Sequence, residues 1–320
     1  MHMCKWLGIG LVFCAACGVD KPAIRLGTFG GWPGYEPFYL ARDIGYLNAK
    51  ELRLVDYNSS TPLQNDFAQG VIEAATLTLD ETVRLAARRS DFRIVLLLDE
   101  SRGADAIIAQ PAFHSLSMLK GKRIGLETSG VGTFLLGRAL EKSSMAPGDI
   151  QTVSLRFDEQ ERAFTQGEVD AIASFEPLKS RLTSSGARVV FDSSEIPGEI
   201  LDVLVVREDV LADRRSEIRE IISVWFRALA HMRNHEEQSR ARVARRFGVP
   251  EKDVEAVWRG VQMGDQAMNS RAIDQHRLDG SLAANAQILH NSGILETVPN
   301  HAALLDLSVL KEVLAAERAK

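Results

Sequence analysis

Cysteine is nearly absent from this chain, and its placement says more than its scarcity. The three thiols, Cys4, Cys14 and Cys17, sit at the N-terminus, and none follows Cys17. Disulfides within the body, Cys-based zinc sites and Cys nucleophiles are thereby excluded. A long apolar run is also missing: the stretch from Trp6 to Ala16 is about half of the ~20 residues needed to span a bilayer. Positive charge is not in excess, because 38 Lys and Arg face 43 Asp and Glu for a net charge of -5. The broad basic face of a nucleic-acid binder is excluded with it. What is present is ordinary globular composition, 45% hydrophobic and 25% charged over 320 residues, enough for two domains or one large α/β domain.

The N-terminus reads as an export leader. Lys5, the apolar run Trp6 to Ala16 and its small-residue end fit a signal peptide over residues 1–16. Phe13-Cys14-Ala15-Ala16-Cys17 resembles a bacterial lipobox, with Cys14 where Leu is usual. The expectation is cleavage before Cys17, lipidation of Cys17 and a linker over 17–23. The protein is then lipid-anchored, in the periplasm or on the outer face of the cytoplasmic membrane.

From Ile24 onward short β-type runs alternate with helical stretches, the pattern of an α/β fold. Strands are expected at Ile24 to Thr28, Leu52 to Tyr57, Glu73 to Thr78, Arg93 to Leu98, Ala104 to Ala109, Arg123 to Leu126, Thr152 to Leu155, Ala171 to Ser174, Arg188 to Phe191 and Asp202 to Val206. After Asp209 the chain reads as helical to its end. Ile218, Ile221, Ile222, Trp225, Leu229 and Met232 form one apolar stripe, and Val254, Val257, Trp258 and Val261 a second.

An internal repeat organises the middle of the chain. Phe67 to Ala74 matches Phe164 to Ala171, each reading as a helix end, a terminating glycine (Gly70, Gly167) and a buried strand. An acid follows each strand, Asp80 in one copy and Glu176 in the other. Ligands of open α/β sheets sit at the carboxyl ends of the strands, so two facing copies would set the Asp80 and Glu176 loops on opposite walls of one cleft.

Two loops stand out as ligand contacts. Gly30 to Pro37 is a glycine- and proline-fixed turn carrying Trp32 and Tyr35, which either stack on a ligand or pack on the next helix. Thr128 to Thr133 opens a helix, so Ser129, Gly130 and Thr133 can present hydroxyls and N–H groups to an anion or simply cap the helix. The Walker and GxGxxG patterns are both unmet there. His231 and His235 lack a third ligand and read as a solvated helix face, as do Arg240, Arg242, Arg245 and Arg246. No catalytic constellation, metal site or cofactor motif stands out.

Several segments together resemble the solute-binding proteins of ABC importers, of the NMT1/THI5-like or SsuA-like type that serves nitrate, sulfonates, taurine and thiamine precursors. They are Gly34 to Ala41 with Gly45-Tyr46-Leu47, Gly70 to Ala75, Leu119 to Gly125 before Ser129 to Thr133, and Gly167 to Ala171 with Glu176-Pro177. The resemblance implies a two-lobed periplasmic-binding-protein fold of the second type with a helical C-terminal part. Residues 24–103 and 207–320 would form lobe 1 and 110–201 lobe 2, with 104–109 and 202–206 as hinge crossovers. It further implies a monomer that hands a small solute to membrane permease subunits, without catalysis, cofactor or metal. Some relatives are enzymes, but the thiamine-pyrimidine synthases among them carry a cysteine-rich motif that this body lacks. The expected site residues are Trp32, Tyr35, Thr78, Asp80, Ser129, Gly130, Thr133, Glu176 and Asp202. Because acids outnumber cations in these loops, the latter chiefly Arg102 and Lys179, the favoured ligand is an amine or amino-heteroaromatic such as a thiamine-type pyrimidine. It would stack on Trp32 and Tyr35 and be held by Glu176, and a sulfonate- or nitrate-type anion is the alternative.

Overall fold

A computed structural model describes residues 21–318. The expected leader, its cleavage site and Cys17 lie outside the described residues. The strands are β1 (Ile24–Phe29), β2 (Leu52–Tyr57), β3 (Ala74–Thr78), β4 (Phe92–Ser101), β5 (Asp105–Ala109), β6 (Arg123–Leu126), β7 (Gln151–Ser154), β8 (Ala171–Phe175), β9 (Arg188–Asp192), β10 (Leu201–Arg207) and β11 (Val261–Met263). They form two sheets, ordered β11-β4-β10-β3-β1-β2 and β7-β6-β8-β5-β9. In the first, β1 runs parallel to β2 and β3, and β10 is antiparallel to β3 and β4. In the second, β6 runs parallel to β7 and β8, and β5 is antiparallel to β8 and β9. Helices cover the sheets, which is why β3 and β5 are buried throughout, their Thr76, Thr78 and Asp105 included.

The chain passes between the sheets twice, over Arg102 to Ala104 and over Ser193 to Ile200. Of the segments expected as hinge crossovers, 104–109 and 202–206, Ala104 lies in the first passage and the rest in regular inner strands, β5 of the second sheet and β10 of the first.

The internal repeat corresponds to two matching corners. Helix Ser60–Gln69 ends at Gly70 with φ 74°, and helix Phe157–Thr165 is followed by Gly167 with φ 70°. These left-handed conformations favour glycine and let the chain turn into β3 and β8. Each corner is tied to the sheet in the same way. The Glu73 N–H donates to the Arg25 carbonyl at 3.1 Å, and the Asp170 N–H to that of Arg123 at 2.8 Å. Arg25 pairs with Glu73, and Arg123 with Asp170.

The C-terminal part departs from the all-helical expectation. The second apolar stripe breaks after Arg259, and Val261–Met263 forms β11, an edge strand against β4. β4 continues to Ser101, three residues past its expected end, and so offers unpaired backbone at the sheet edge. Gly260 permits the turn, because a Cβ there would lie 2.6 Å from the Ala104 nitrogen. The first stripe holds: Ile218, Ile221, Ile222 and Trp225 are buried on helix Arg215–Asn234, and the Trp225 indole donates to the Gly264 carbonyl at 3.0 Å. The arginines expected on a solvated face divide. Arg242 and Arg246 turn inward to pair with the buried carboxylate of Glu36, each at 2.8 Å, while Arg240 stays at the surface with Glu236. Arg246 also lies over the Tyr39 ring at 3.3 Å and donates to the Gly30 carbonyl. A carboxylate as buried as Glu36 needs such partners.

Candidate functional site

The carboxyl ends of the strands face one another across the two lobes and enclose a cavity of about 60 Å³. Its apolar wall is an aromatic cage drawn from both sheets. Phe29, at the end of β1, meets Phe157 and Phe175 edge-on with centroids at 5.3 and 5.7 Å, and those two stack at 4.6 Å with planes 5° apart. Trp32 meets Phe175 edge-on at 5.6 Å. Such contacts fix ring orientation and leave faces and edges for a flat or cationic guest.

The loop after β1 delivers Trp32 and Tyr35, both buried at the cavity wall. The Trp32 indole N–H donates to both oxygens of Asp99, at 3.3 and 3.2 Å. Gly34 is required beneath it, since a Cβ would stand 2.1 Å from Asp99 Oδ2 and 2.2 Å from the indole nitrogen.

The polar floor is built of carboxyls. Glu81, Asp105 and Asp202 line the cavity, with Asp99 just behind Trp32. Glu81 belongs to a capping box: the Thr78 N–H donates to Glu81 Oε2 at 3.1 Å and the Glu81 N–H to Thr78 Oγ1 at 3.4 Å. The Ser60 hydroxyl holds the other Glu81 oxygen. Burial pushes Glu81, Asp99 and Asp105 up to about 7, and raises Asp202 further with help from the charges of Asp99, Asp105 and Glu81. Two acceptor atoms of cavity-lining residues, Asp202 Oδ1 and Gln160 Oε1, are buried and without a partner. An unmet acceptor in such a place costs free energy unless a ligand or water supplies the donor.

At the opposite wall, helix Val131–Lys142 begins at the cavity with Gly130 as its N-cap, and Gly130, Val131 and Gly132 line it. The Gly130 N–H donates to the Glu127 carbonyl and the Thr133 N–H to that of Gly130, and the other N–H groups of a helix's first turn have no intrahelical carbonyl. The lobes are laced together beside this turn. Thr61 donates from N and Oγ1 to Glu127 Oε1 at 2.9 and 2.6 Å, and the Gln64 amide donates to the Ser129 carbonyl at 2.9 Å. Arg84, ion-paired to Asp80 at 2.9 Å, donates to the carbonyls of Thr128, Ser129 and Gly130.

Of the residues expected in the site, Trp32, Tyr35, Thr78, Gly130 and Asp202 line the cavity. Asp80, Ser129, Thr133 and Glu176 stand outside its lining. Asp80 is spent on Thr78 Oγ1 and Arg84, and the Ser129 hydroxyl meets Thr61. Thr133 donates to the Thr128 carbonyl, and Glu176 accepts from the Ser180 N–H at the start of helix Leu178–Ser184. Arg102 pairs with Glu100, and Lys179 donates to the Gly103 carbonyl, so the cations named from sequence are used elsewhere. Sequence reasoning missed Phe29, Phe157, Phe175, Gln160 and the interlobe role of Arg84. The signal for Phe175 was its place at the end of a repeat strand, whereas Gln160 shows no sequence cue. The His231 and His235 rings lie 4.3 Å apart between centroids with planes tilted by 38°, and no group of three or more His, Cys, Asp or Glu placed to hold a metal ion exists among the described residues.

Comparison with known proteins gives a consistent family. The NMT1/THI5-like family model matches residues 32–239. A taurine-binding periplasmic protein of Escherichia coli is 22% identical over 222 residues, 64% of this chain and 66% of that protein. A Brucella abortus protein is 27% identical over 125 residues, 38% of this chain, so the match spans 39% of that relative's length. Among solved structures, the alkanesulfonate-binding protein of Xanthomonas axonopodis pv. citri bound to MOPS superposes with a TM-score of 0.76 at 18% identity, covering 90% of this chain and 99% of that one. The desulfurization enzyme DszB superposes with a TM-score of 0.66 at 16% identity, covering 93% of this chain and 100% of that one. The fold, two α/β lobes of the periplasmic-binding-protein type, is thus shared by binders and by an enzyme.

Proposed function

Because this chain belongs to the NMT1/THI5-like family, we propose that it is the solute-binding component of an ABC importer, capturing a small organic solute in the interlobe cavity and passing it to permease subunits. It works outside the cytoplasmic membrane as a monomer, held there through acylated Cys17. Binding proceeds without turnover: no cysteine follows Cys17 to serve as a nucleophile, and the cavity lining holds no Lys or His to act as a general base.

The solute bears an amine or an amino-heteroaromatic ring, of which a thiamine-type pyrimidine is one example. One observation carries this reading. The cavity presents unpartnered acceptors, Asp202 Oδ1 and Gln160 Oε1, beside the carboxyls of Glu81 and Asp105, and no Lys, Arg or His is among its lining residues. A bare anion would face acceptors at that end, whereas a flat cation would find acceptors below and aromatic faces around it.

A second reading, a sulfonate-type anion, draws on the N-terminus of helix Val131–Lys142 and on the names of the relatives. A thermal-shift screen over amines, aminopyrimidines, sulfonates and oxyanions separates the two. A ligand at 100 times its Kd stabilises by about 2.7 kcal/mol, which is readily detected. Stabilisation by sulfonates alone overturns the amine reading.

A further inference from the structure

Resting on the reading of the solute as a small organic cation, we infer that its positive group settles among Glu81, Asp105 and Asp202 and displaces protons held there, so that capture exchanges a cation for protons. Asp202 stands directly opposite Asp99 across β10 and β4, and both are buried. Two buried carboxylates facing each other with no cation between them repel, which favours a proton on one of the pair. Asp105 and Glu81 add two more carboxyls to the same enclosed space.

The charges around the cluster do not neutralise it. On the helix that carries Glu81, Arg84 is bound to Asp80 and to carbonyls of the other lobe. On β4, Glu100 is paired with Arg102 and Arg277. Beyond β8, Glu176 caps its helix and Lys179 is held by the Gly103 carbonyl near Asp192. From the second lobe, Glu127 is taken by Thr61. Tyr35 is a neutral donor, its hydroxyl pushed up by burial and by Asp202. With no cation in the lining, burial shifts these carboxyls toward their protonated, neutral form.

An observation independent of the acids marks the same place as a ligand position. Gln160, reaching in from helix Phe157–Thr165, has a buried, unpartnered Oε1, which asks for a donor on the guest. When a guest cation arrives, a carboxyl ionises, its proton passes to solvent, and the net charge of the cavity is conserved. The sign is fixed by chemistry: acid favours the protonated cavity and expels the cation.

The test is isothermal titration calorimetry with benzylamine, which stays cationic between about pH 5 and pH 8. Titration in two buffers of different ionisation enthalpy counts the protons released. The expected count at about pH 6.5 approaches one, and apparent Kd weakens up to about tenfold per pH unit on acidification below 7. Asp202→Asn lowers the count, and the buffer comparison on the unaltered chain stands even if that variant does not fold. Benzylamine binding with no proton release overturns the exchange and leaves the cation reading intact. Failure of benzylamine and of 4-amino-2-methylpyrimidine to bind, with ethanesulfonate binding more tightly as pH falls, overturns both.

Discussion

Asp202 stands directly opposite Asp99 across the antiparallel pair β10 and β4, at the point where the register of that pair shifts. Residues directly opposite in an antiparallel pair share one face of the sheet, so the two acids are neighbours. Here Trp32 donates to Asp99, so Asp99 is the partner that better carries charge and Asp202 the one that keeps a proton.

This arrangement sets a pH dependence for the empty protein. In an unfolded chain these carboxyls titrate near about 4. In the fold, Glu81, Asp99 and Asp105 titrate at about 7 and Asp202 is also raised. The folded state therefore holds extra protons in between, and their stabilising contribution is lost as pH rises from about 4 through 7. Melting temperature without solute is expected to be higher at about pH 5 than at about pH 8, each 1 kcal/mol corresponding to roughly 2–3 °C. Differential scanning calorimetry checks this, and equal midpoints would mean that the cluster is ionised when empty.

Arg84 closes the cleft. Its guanidinium joins Asp80 on one lobe to three successive carbonyls on the other. Arg84→Gln is expected to weaken solute binding by about 1.5–3 kcal/mol, the range for hydrogen bonds to a charged group. Small-angle scattering at saturation should then show a larger radius of gyration than for the unaltered protein. An unchanged affinity would assign the closed form to other contacts.

Phe157 belongs to the second lobe but stacks on Phe175 and meets Phe29 of the first. Phe157→Ala removes one wall of the cage. Affinity for an aromatic amine should fall by about two- to tenfold, in keeping with roughly 0.5–1.5 kcal/mol for an aromatic pair. Titration calorimetry would show whether an aliphatic amine of similar size is spared.

Trp225 tests the scaffold rather than the site. It is fully buried, tilted against Phe38 at 5.0 Å, and bonded to the Gly264 carbonyl. Trp225→Ala should cost about 3–5 kcal/mol in denaturant unfolding, from lost burial and an opened cavity. A cost below about 1 kcal/mol would mean that the C-terminal helices contribute little to the first lobe.

Expression in a bacterial host with intact-mass analysis addresses the anchor. A mature form beginning at an acylated Cys17 is expected, and a soluble one for Cys17→Ser. Recovery of chain beginning at Met1 would remove the lipoprotein proposal.

Much of this could be read in the amino-acid order, and the reasons differ by element. Strands such as Ala74–Thr78 and Asp105–Ala109 are buried on both faces, so their apolar runs announce them. The two corners show in the repeat because a left-handed glycine leaves a sequence mark. β11 left none: Val261–Met263 is short and pairs only because β4 presents an edge, a tertiary cause that no local window contains. The site was legible as loops but not as side-chain directions. Asp80 and Glu81 are neighbours on one helix turn, yet only Glu81 faces the cavity, because Arg84 draws Asp80 aside. Phe157 and Gln160 reach the cavity from a helix start whose composition, rich in charge, points to solvent.

The two sheets share one plan once corresponding strands are aligned: β2-β1-β3-β10-β4 in one and β7-β6-β8-β5-β9 in the other. The fourth strand of each is supplied by the chain's other half, β5 after β4 and β10 after β9. The lobes are thus reciprocally strand-swapped, like two protomers that have traded an arm and then been fused. Neither lobe can be excised as a continuous stretch of chain without taking an inner strand from its neighbour. Dissection into lobes would therefore give two incomplete sheets, and the smallest unit able to fold extends through both.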